Sequence, residues 1–414
     1  MRPCILFCAL ALLFTGCATI PPPRALVNLT TPAPAPGADR TKFNLSVYDN
    51  VWRWIDTRYY DANFNGADWP AARERHRAAA AAAKNDAELY TAINAMLDEL
   101  RDRHTHAQPA EEFARSFRHL NVVLGWRSRE LPGATDGRRV IIEVFPGSAA
   151  ADAGVHVGWT LVACDGRPPL EVVGPGMLTE GQAVRCDFLT ETGETKTLTI
   201  AGRRMIVPTY RAVREVAPEI FLLRFDGFDM PSAHWVREQV KAHASAKALI
   251  FDLRGNPGGH VFALASILGD VFPEPVDLGE LVHRGHVAWW HHFLLQRGGP
   301  RYAGKIAVLV SGGTTSAAEI FSQLVQENGR GIIVGQKTGA ALLTSVFWPL
   351  GGGGKLWLSV YDYRSPKGSR VEGRGVTPDI VVPVPETPTA DENDPVVRAA
   401  IEALSSAASS PAAK

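Results

Sequence analysis

The segment Asp252-Leu-Arg-Gly-Asn-Pro-Gly-Gly259 decides the fold that the sequence predicts, because it directly follows the apolar run Ala248-Leu-Ile-Phe251. A second segment, Ser311-Gly-Gly-Thr-Thr-Ser-Ala-Ala-Glu319, follows the apolar run Ile306-Ala-Val-Leu-Val310 in the same way. Both runs have the length of buried parallel strands, and a helix-like stretch follows each segment. The first segment can aim unpaired N–H groups at an anion, and the second places Ser316 at the N-terminus of a helix. A hydroxyl beside free N–H donors is the arrangement that acyl transfer requires.

The pattern along the chain predicts a multi-domain α/β protein, and 414 residues are enough for two or three domains. Residues 42–112 repeat apolar side chains at helical spacing, which predicts an N-terminal helical domain. Residues 118–206 consist of short β segments separated by Gly/Pro turns. In residues 207–384 strands alternate with helices, as in a sheet with parallel pairs. Residues 385–414 hold a short helix and a loose Ala/Ser tail.

Residues 1–16 are predicted to be a lipoprotein signal peptide. The apolar stretch from Ile5 to Phe14 follows a positive N-terminus and is too short to span a bilayer as a helix. It leads into Phe14-Thr-Gly-Cys17, which resembles a bacterial lipoprotein processing site with Cys17 as the lipidated residue. Phe14 replaces the usual aliphatic residue there, so ordinary secretion is the alternative. The Pro/Ala-rich residues 17–41 are typical of a tether. We therefore expect a chain that is lipid-anchored in a bacterial cell envelope and faces the periplasm, on the outer membrane in a Gram-negative host.

The charge balance argues against nucleic acid as a partner. Lys and Arg number 43 and Asp and Glu also number 43, so no global field attracts a polyanion. No basic block with interleaved aromatic residues interrupts this balance. The histidines at positions 283, 286, 291 and 292 lack carboxylates or cysteines at ligand spacing. The sequence therefore predicts neither a metal site nor another cofactor.

Two cysteines belong to the predicted mature fold. The signal peptide contains Cys4 and Cys8, and Cys17 is assigned to the lipid, which leaves Cys164 and Cys186. An oxidising envelope permits a disulfide between them. Two small buried apolar residues are an equally good interpretation, so the sequence leaves this state open.

Three motifs together resemble the tail-specific (C-terminal processing) serine peptidase family. They are Asp252-Leu-Arg-Gly-Asn-Pro-Gly-Gly259, Thr314-Thr-Ser-Ala-Ala-Glu-Ile320 and Glu372-Gly-Arg-Gly-Val-Thr-Pro-Asp379. Each is weak alone, but their order and the predicted strands before the first two make the resemblance specific. It extends from about Phe43 to about Pro383 and implies a crotonase-like ββα catalytic domain.

The resemblance implies that Ser316 is the nucleophile. The N–H of Ala317 would be one oxyanion donor, and the N–H of Gly258 or Gly259 would be the other. An ordinary N-cap serine, which satisfies the first N–H groups of a helix, is the structural alternative for Ser316.

The expected base of the best-known branch of this family is absent. That branch has a lysine twenty-five residues after the serine, and this chain has Ala341 there. Lys337 and Lys355 are the nearest lysines that could substitute, and neither matches the family pattern. A serine hydroxyl needs a base, so either the enzyme is inactive or another residue supplies one.

The segment Asp102-Arg-His-Thr-His106 resembles the Asp-X-His-Thr segment of the tricorn-core-like branch. The resemblance implies that His104 is the base, and a near-neutral pKa suits this role. His106 is the fallback. Glu372 matches the carboxylate that orients the imidazole or the site. Such a set is recognised by geometry and role and not by chain order.

The β segments of residues 118–206 resemble a PDZ domain. Val123, Leu124, Gly125 and Trp126 occupy the place of its carboxylate-binding loop. Their N–H groups could capture a peptide C-terminus while the peptide adds a strand to the sheet edge. An ordinary strand with a bulge at Gly125 is the alternative.

The sequence thus predicts a cell-envelope serine endopeptidase that acts through an acyl-enzyme, with Ser316, His104 and Glu372 at its centre. Its partners would be peptides or proteins, bound through their C-termini by the PDZ domain, and the membrane. A catalytically inactive PDZ-containing peptide-binding lipoprotein is the second hypothesis, favoured by the missing lysine and opposed by the Asp-X-His-Thr segment. A relative that uses the same cleft for small apolar ligands is a third, which no specific feature supports.

Overall fold

A computed structural model describes residues 31–35, 37–117, 120–130, 137–174, 177–287, 301–383 and 393–406. The predicted signal peptide, Cys17, most of the tether and the histidines at 291 and 292 lie outside these residues. Among the described residues, no helix combines the length and hydrophobicity needed to cross a bilayer.

The helices in the described ranges follow the periodic segments of the sequence. They are α1 (Thr41–Arg58), α2 (Trp69–Ala82), α3 (Asp86–Leu97), α4 (Ala110–Phe117), α5 (Ala149–Asp152), α6 (Pro169–Val173), α7 (Met230–Ala242), α8 (Val261–Val271), α9 (Ala317–Glu327) and α10 (Pro395–Ser406).

The strands in the same ranges include all the apolar runs that the sequence marks as strands. They are β1 (His106–Gln108), β2 (Leu120–Val123), β3 (Trp126–Glu130), β4 (Arg139–Val144), β5 (Thr160–Cys164), β6 (Ala183–Leu189), β7 (Thr195–Ala201), β8 (Arg203–Ile206), β9 (Arg211–Ala217), β10 (Ile220–Phe225), β11 (Ala248–Asp252), β12 (Glu280–His283), β13 (His286–Val287), β14 (Lys305–Val310), β15 (Ile332–Gly335), β16 (Leu343–Pro349), β17 (Lys355–Arg364) and β18 (Ile380–Val381).

The chain divides into two compact units. The first comprises residues up to Arg58, Asn65–Glu111 and Phe347–Leu358, and the second comprises Tyr59–Phe64, Glu112–Val346 and the residues from Ser359 on.

Helices α1, α2 and α3 form the main body of the first unit. Asp68 accepts a hydrogen bond from the Ala71 N–H, and Asn85 accepts one from the Glu88 N–H, so side-chain caps start α2 and α3. Their apolar faces are buried together, with Val51 and Ile93 fully enclosed. Strand β1 follows and pairs antiparallel with the beginning of β17.

The second unit contains an antiparallel sheet in the strand order β3-β4-β5-β6-β7. Its core is made of alternate residues that point to one face, including Ile141, Leu161, Val184 and Phe188. Strand β3 is an edge of this sheet, because β4 is its partner in the described residues. Strands β2 and β8 form a separate antiparallel pair.

The second unit also contains a six-stranded sheet in the order β18-β15-β14-β11-β10-β9. Its strands are parallel except for β9, which is antiparallel to β10. Helices α7, α8 and α9 cover one face through residues such as Val236, Leu264 and Phe321. Helix α10 covers the other face through Val396 and Ala400. Burial on both faces explains why β11 is apolar from Ala248 to Phe251.

The topology brings the two decisive segments to one edge of the six-stranded sheet. Strands β11 and β14 are parallel neighbours, with Asp252 opposite Leu309, so the turns after them leave the sheet side by side. The mixed α/β class that the sequence predicts is confirmed. The assignment of the antiparallel sheet to the PDZ type stays a prediction.

The antiparallel sheet and the six-stranded sheet lie in the same unit and are joined by direct contacts. Arg127 of β3 donates to the carbonyl of Pro208 at 2.6 Å. Its guanidinium lies 5.0 Å from the ring centroid of Tyr210, in the connection that leads into β9. Because of such contacts, residues 118–206 and most of residues 207–384 belong to the same compact unit.

Candidate active site

The glycine turn after β11 is fixed by its own asparagine. Asn256 donates through Nδ2 to the Phe225 carbonyl at 2.7 Å and accepts the Gly258 N–H at 2.8 Å. The Gly258 N–H is therefore occupied. The Gly259 N–H has no acceptor among the described residues. Of the two glycines in the prediction, Gly259 is thus the one whose N–H remains available.

Both glycines are required by close backbone contacts. The Phe228 N–H donates to the Gly258 carbonyl at 2.8 Å, and the His260 N–H donates to the Phe228 carbonyl at 2.7 Å. Gly259 has φ +145°, and a Cβ there would lie 2.4 Å from the Phe228 carbonyl oxygen. A side chain at this position would therefore collide with backbone.

Ser316 occupies a strained elbow between β14 and α9. Its φ is 55° and its ψ is −124°. An ordinary N-cap residue has extended backbone angles, so the backbone of Ser316 departs from that of a plain cap, although Glu319 accepts its N–H as in a capping box. A left-handed conformation costs a residue other than glycine about 1–3 kcal/mol, and such strain is concentrated at functional sites. A nucleophile on a sharp strand-to-helix turn exposes its hydroxyl in this way.

The turn and the elbow are packed against each other. An ideal Cβ on Gly258 would lie 2.7 Å from the Ala317 nitrogen and 2.8 Å from Ser316 Cβ. The Thr315 N–H donates to the Asn256 carbonyl at 3.0 Å. Ala317 is the first residue of α9, so its N–H has no partner within the helix. The backbone of Gly258 thus lies directly against Ser316 and the first residue of α9.

The carboxylate of Glu319 is buried beneath the elbow and holds it. Oε2 accepts the N–H groups of Ser316 at 3.1 Å and Ala341 at 3.0 Å. Oε1 accepts the Ala340 N–H at 2.9 Å and the Thr338 hydroxyl. Burial raises the pKa of the Glu319 carboxyl, and these four hydrogen bonds act in the opposite direction. The side chain ties the nucleophile to the segment 338–341.

The segment around Ala341, where the family pattern has a lysine, contacts Ser316 directly. The Ala341 carbonyl accepts the Ser316 N–H at 2.9 Å, and Ala341 is buried. Position 341 therefore lies beside the nucleophile, where the family pattern would place a lysine. Glu372 accepts the N–H of the next residue, Leu342. The structure thus brings Glu372 to the segment that supports Ser316.

A buried ion pair links the glycine turn to the C-terminal helix. Arg254 donates to both oxygens of Asp252, at 2.8 Å each, and through Nη1 to Asp394 at 2.7 Å. Asp394 also caps α10 by accepting the Val396 N–H at 2.9 Å. All three charged side chains are removed from solvent. The last helix therefore anchors the turn that carries Gly259.

His104 belongs to the first unit, in the turn between α3 and β1. Its N–H donates to Asp102 Oδ1 at 2.8 Å, and that oxygen lies 3.9 Å from its Nδ1. Nδ1 is buried and has no hydrogen-bond partner in the described part of the chain. Burial lowers the pKa of His104, Asp102 raises it, and His106 and Arg103 lower it. The imidazole is therefore neutral at pH 7, as a general base must be.

The other candidate bases, two lysines and a second histidine, lie in other segments of the structure. Lys337 is exposed to solvent beyond β15. Lys355 starts β17 and lies opposite Gln108. His106 is in β1, and its ring is 6.2 Å from the ring of Trp357.

The described residues offer no cluster of His, Cys, Asp and Glu that could hold a metal ion. His283 contacts the Val360 carbonyl through Nδ1 at 2.9 Å, and His286 is exposed in β13. The histidines at 291 and 292 are outside the described residues.

The loop from Val123 to Trp126 connects β2 to β3. The Leu124 carbonyl accepts the Ala150 N–H at 2.8 Å, and the Gly125 carbonyl accepts Ser148 Oγ at 3.1 Å. Gly125 has φ +115°, and a Cβ there would lie 2.0 Å from Ser148 Cβ. The N–H groups of Leu124 and Gly125 have no acceptor within the described ranges. A carboxylate could accept both.

Two positioning residues were missed by the sequence interpretation. Glu319 lies in the quoted motif, three residues after Ser316. A carboxylate at this helical position indicates a hydrogen bond back to the residue that precedes the helix. Asp394 lies 140 residues from Arg254, and nothing in the local sequence connects them.

Replacing Glu319 by glutamine should slow the nucleophile without unfolding the chain. In the parent, both carboxylate oxygens of Glu319 accept backbone N–H groups. The glutamine side chain replaces one of these oxygens by an NH₂ group, which leaves at least one backbone N–H without an acceptor. Each unsatisfied buried group costs about 1–3 kcal/mol. We expect kcat to fall roughly 10–100-fold, and labelling of Ser316 by a fluorophosphonate to slow in parallel, with KM little changed. The matched control is Glu327→Gln at the other end of α9, where the carboxylate meets Gln323 and Ser365. Parental labelling in Glu319→Gln would contradict the assigned role.

Replacing Asp394 by serine should keep the helix cap and remove the contact with Arg254. A buried guanidinium donor left without its partner costs about 1–3 kcal/mol. We expect the free energy of unfolding to drop by that amount, and kcat/KM to drop about 3–10-fold because the Gly259 turn loosens. Lys305→Met is the control, since it releases the other end of α10 from the Leu404 carbonyl and does not touch the turn. Equal activity losses in both variants would show that α10 stabilises the fold only.

Comparisons with known proteins relate the chain to peptidases. Residues 219–382 match the model of peptidase family S41, and residues 44–98 match the tricorn protease C1 domain. The chain is 27% identical over 392 residues to the chloroplastic carboxyl-terminal-processing peptidase 2 of Arabidopsis thaliana, covering 86% of this chain and 72% of that protein. It is 27% identical over 362 residues to a carboxyl-terminal-processing protease of Picosynechococcus sp., covering 80% and 82% of the two chains.

Among solved structures, the fold is similar to that of a photosystem II D1 C-terminal processing protease. The TM-score is 0.55 at 22% identity, over 86% of this chain and 97% of that chain. At this identity the likeness concerns the fold alone.

Proposed function

We propose that this chain, a serine-type peptidase whose residues 219–382 match the model of peptidase family S41, is a cell-envelope endopeptidase with a serine–histidine mechanism. The observation that carries the proposal is the strained elbow of Ser316 beside the free N–H groups of Ala317 and Gly259. Backbone strain lowers the stability of the chain and is concentrated at functional sites, and a reactive hydroxyl on Ser316 accounts for the strain at this position.

The chemistry proceeds in two halves. Ser316 Oγ attacks the carbonyl carbon of the scissile peptide bond while His104 accepts its proton. The negative oxygen of the tetrahedral intermediate is met by the N–H groups of Ala317 and Gly259, each such donor being worth roughly 10²–10³ in rate. His104 then returns the proton to the leaving amine, and an acyl-enzyme remains on Ser316. Water, deprotonated by His104, hydrolyses this ester and regenerates the serine.

The carboxylates act as positioning residues in this scheme. Glu319 fixes the backbone of Ser316, and Glu372 fixes the neighbouring Leu342 N–H. Glu372 is thus proposed to assist by holding the 340–342 segment. The role of His104 rests on its neutral, partly buried imidazole and on the resemblance of Asp102-Arg-His-Thr-His106 to the Asp-X-His-Thr segment of the tricorn-core-like branch.

Substrate capture is assigned to the antiparallel sheet. The free N–H groups of Leu124 and Gly125 suit a terminal carboxylate, and the edge of β3 can accept the peptide as an added strand. The names of the relatives, carboxyl-terminal-processing proteases, point to the same class of substrate. We therefore propose peptides or proteins recognised by their C-termini.

The proposed location is the bacterial cell envelope, with Cys17 as a lipid anchor and the enzyme facing the periplasm. Its support is the N-terminal sequence alone: a positive start, a short apolar stretch and Phe14-Thr-Gly-Cys17.

Incubation of the full chain with a mixed peptide library, read by mass spectrometry, tests the serine–histidine mechanism. We expect cleavage by the parent, and a rate lower by about 10²–10⁴ in His104→Gln, because the base is lost. Ser316→Ala should be inactive. The matched control is His234→Ala, which removes an exposed histidine from α7.

Each outcome of this experiment leads to a different conclusion about the mechanism. Activity that survives in His104→Gln and disappears in His106→Gln would make His106 the base. Binding of peptide C-termini without cleavage by the parent would support the inactive binding protein. Cleavage that persists in Ser316→Ala would overturn the proposal.

The pH profile should identify the base independently. The neutral imidazole is the active form, and burial lowers the pKa of His104 below 6.5. We expect kcat/KM to be constant near pH 7 and to fall tenfold per pH unit as the pH drops through this lowered pKa. The positive form of His106 contributes to the lowering, so His106→Gln should move the acid limb to higher pH. An acid limb above pH 7 in the parent would contradict His104 as the base.

A further inference from the structure

Cys164 and Cys186 face each other across two neighbouring strands. Cys164 ends β5 and lies directly opposite Cys186 of β6 in the antiparallel register. The N–H and carbonyl of Cys164 both bond to Arg167, at 3.0 and 2.9 Å, and the next residue, Asp165, donates to the Arg185 carbonyl at 2.8 Å. The cysteines are therefore a non-hydrogen-bonded pair, in which side chains of facing strands approach most closely. Their Sγ atoms are 3.4 Å apart.

This arrangement has the dimensions of a cross-strand disulfide. Facing residues in a non-hydrogen-bonded pair have Cα atoms about 4.5 Å apart, inside the range of about 4.4–6.8 Å that disulfides span. The two sulfur atoms need only a side-chain adjustment to reach bonding distance, and both side chains are fully buried. Their surroundings are apolar, with Leu161 and Phe188 in the same core. Each thiol therefore meets the other as its polar partner.

We propose that Cys164 and Cys186 are an oxidation site at which the chain carries a disulfide between β5 and β6. Each thiol loses one proton and one electron, and an Sγ–Sγ bond forms. The two electrons and two protons reduce one disulfide of the oxidant, a low-molecular-weight or protein disulfide, to two thiols. In the cell this proposal rests on the proposed envelope location, because cytosolic thiols are kept reduced.

The bond forms while the chain folds. The hydrogen bond with Cys164 and burial both raise the pKa of the Cys186 thiol, so the thiolate that disulfide exchange requires is scarce in the folded sheet. An oxidant also cannot reach two fully buried sulfur atoms. Once formed, the bond closes the loop 165–185, which carries α6 and its buried Val172. It thereby restrains the unfolded chain and stabilises the sheet that contains β3.

The test is to unfold and refold the full chain in a buffer of oxidised and reduced glutathione, which makes the result independent of cellular location. Remaining thiols are blocked with N-ethylmaleimide under denaturing conditions, and tryptic peptides are analysed without reduction. We expect peptide 140–185 linked to peptide 186–196, with a mass 2 Da below the sum of the two. The chain is then purified from envelope fractions and analysed in the same way.

The possible outcomes distinguish the proposed disulfide from the proposed envelope location. N-ethylmaleimide on both cysteines after refolding in an oxidising buffer would overturn the disulfide. A disulfide in the refolded chain with free thiols in the cellular chain would place the protein in a reducing compartment and overturn the location instead. We also expect the refolded parent to lose roughly 4–10 °C in Tm on reduction. Cys164→Ala/Cys186→Ala, which removes both thiols, should show no response to the reductant.

Discussion

The buried carboxylate of Glu319 is the interaction on which the geometry of the active site depends. Ser316 adopts φ 55° and ψ −124°, and this conformation persists only if its surroundings hold it. Glu319 supplies that restraint by accepting the N–H groups of Ser316 and Ala341 with one oxygen. A carboxylate is suited to this role because it can accept several N–H groups and offers no competing donor. The cost of burying its charge is offset by the same hydrogen bonds.

Sheet topology sets the second constraint. Parallel strands deliver their C-terminal ends to one edge, so the turn after β11 and the elbow after β14 become neighbours although fifty residues separate them in sequence. Contact between them is then so close that a side chain at Gly258 would meet the Ala317 backbone. Asn256 completes the arrangement, since it engages the Gly258 N–H and leaves that of Gly259 available. The oxyanion site thus arises from backbone geometry, and side chains only select which N–H group is free.

The sequence was sufficient for the strands, the glycine turn and the helix that begins after Ser316, because these depend on local patterns: apolar runs, glycines and the residue that precedes a helix. It could not separate Gly258 from Gly259, since the difference lies in one hydrogen bond that the Gly258 N–H donates to a side chain two residues away. It also could not find the contact of Asp394 with Arg254, which joins the end of the chain to its middle. No local sequence pattern predicts that residues 347–358 belong to the helical first unit. Contacts between distant segments carry no signal in a single sequence.

Position 341 holds an alanine, and the base that we propose, His104, comes from a distant part of the sequence. In this chain the backbone of Ala341 is fully engaged, with its N–H on Glu319 and its carbonyl on the Ser316 N–H. Its backbone can therefore support the nucleophile whatever its side chain is, and loss of a lysine there leaves the elbow intact. A lysine base needs an environment that lowers its pKa by several units, whereas a histidine begins near neutrality. Burial of His104 lowers its pKa further and secures the neutral form. The support of the elbow and the identity of the proposed base are thus physically independent, because Ala341 acts through its backbone and not through its side chain.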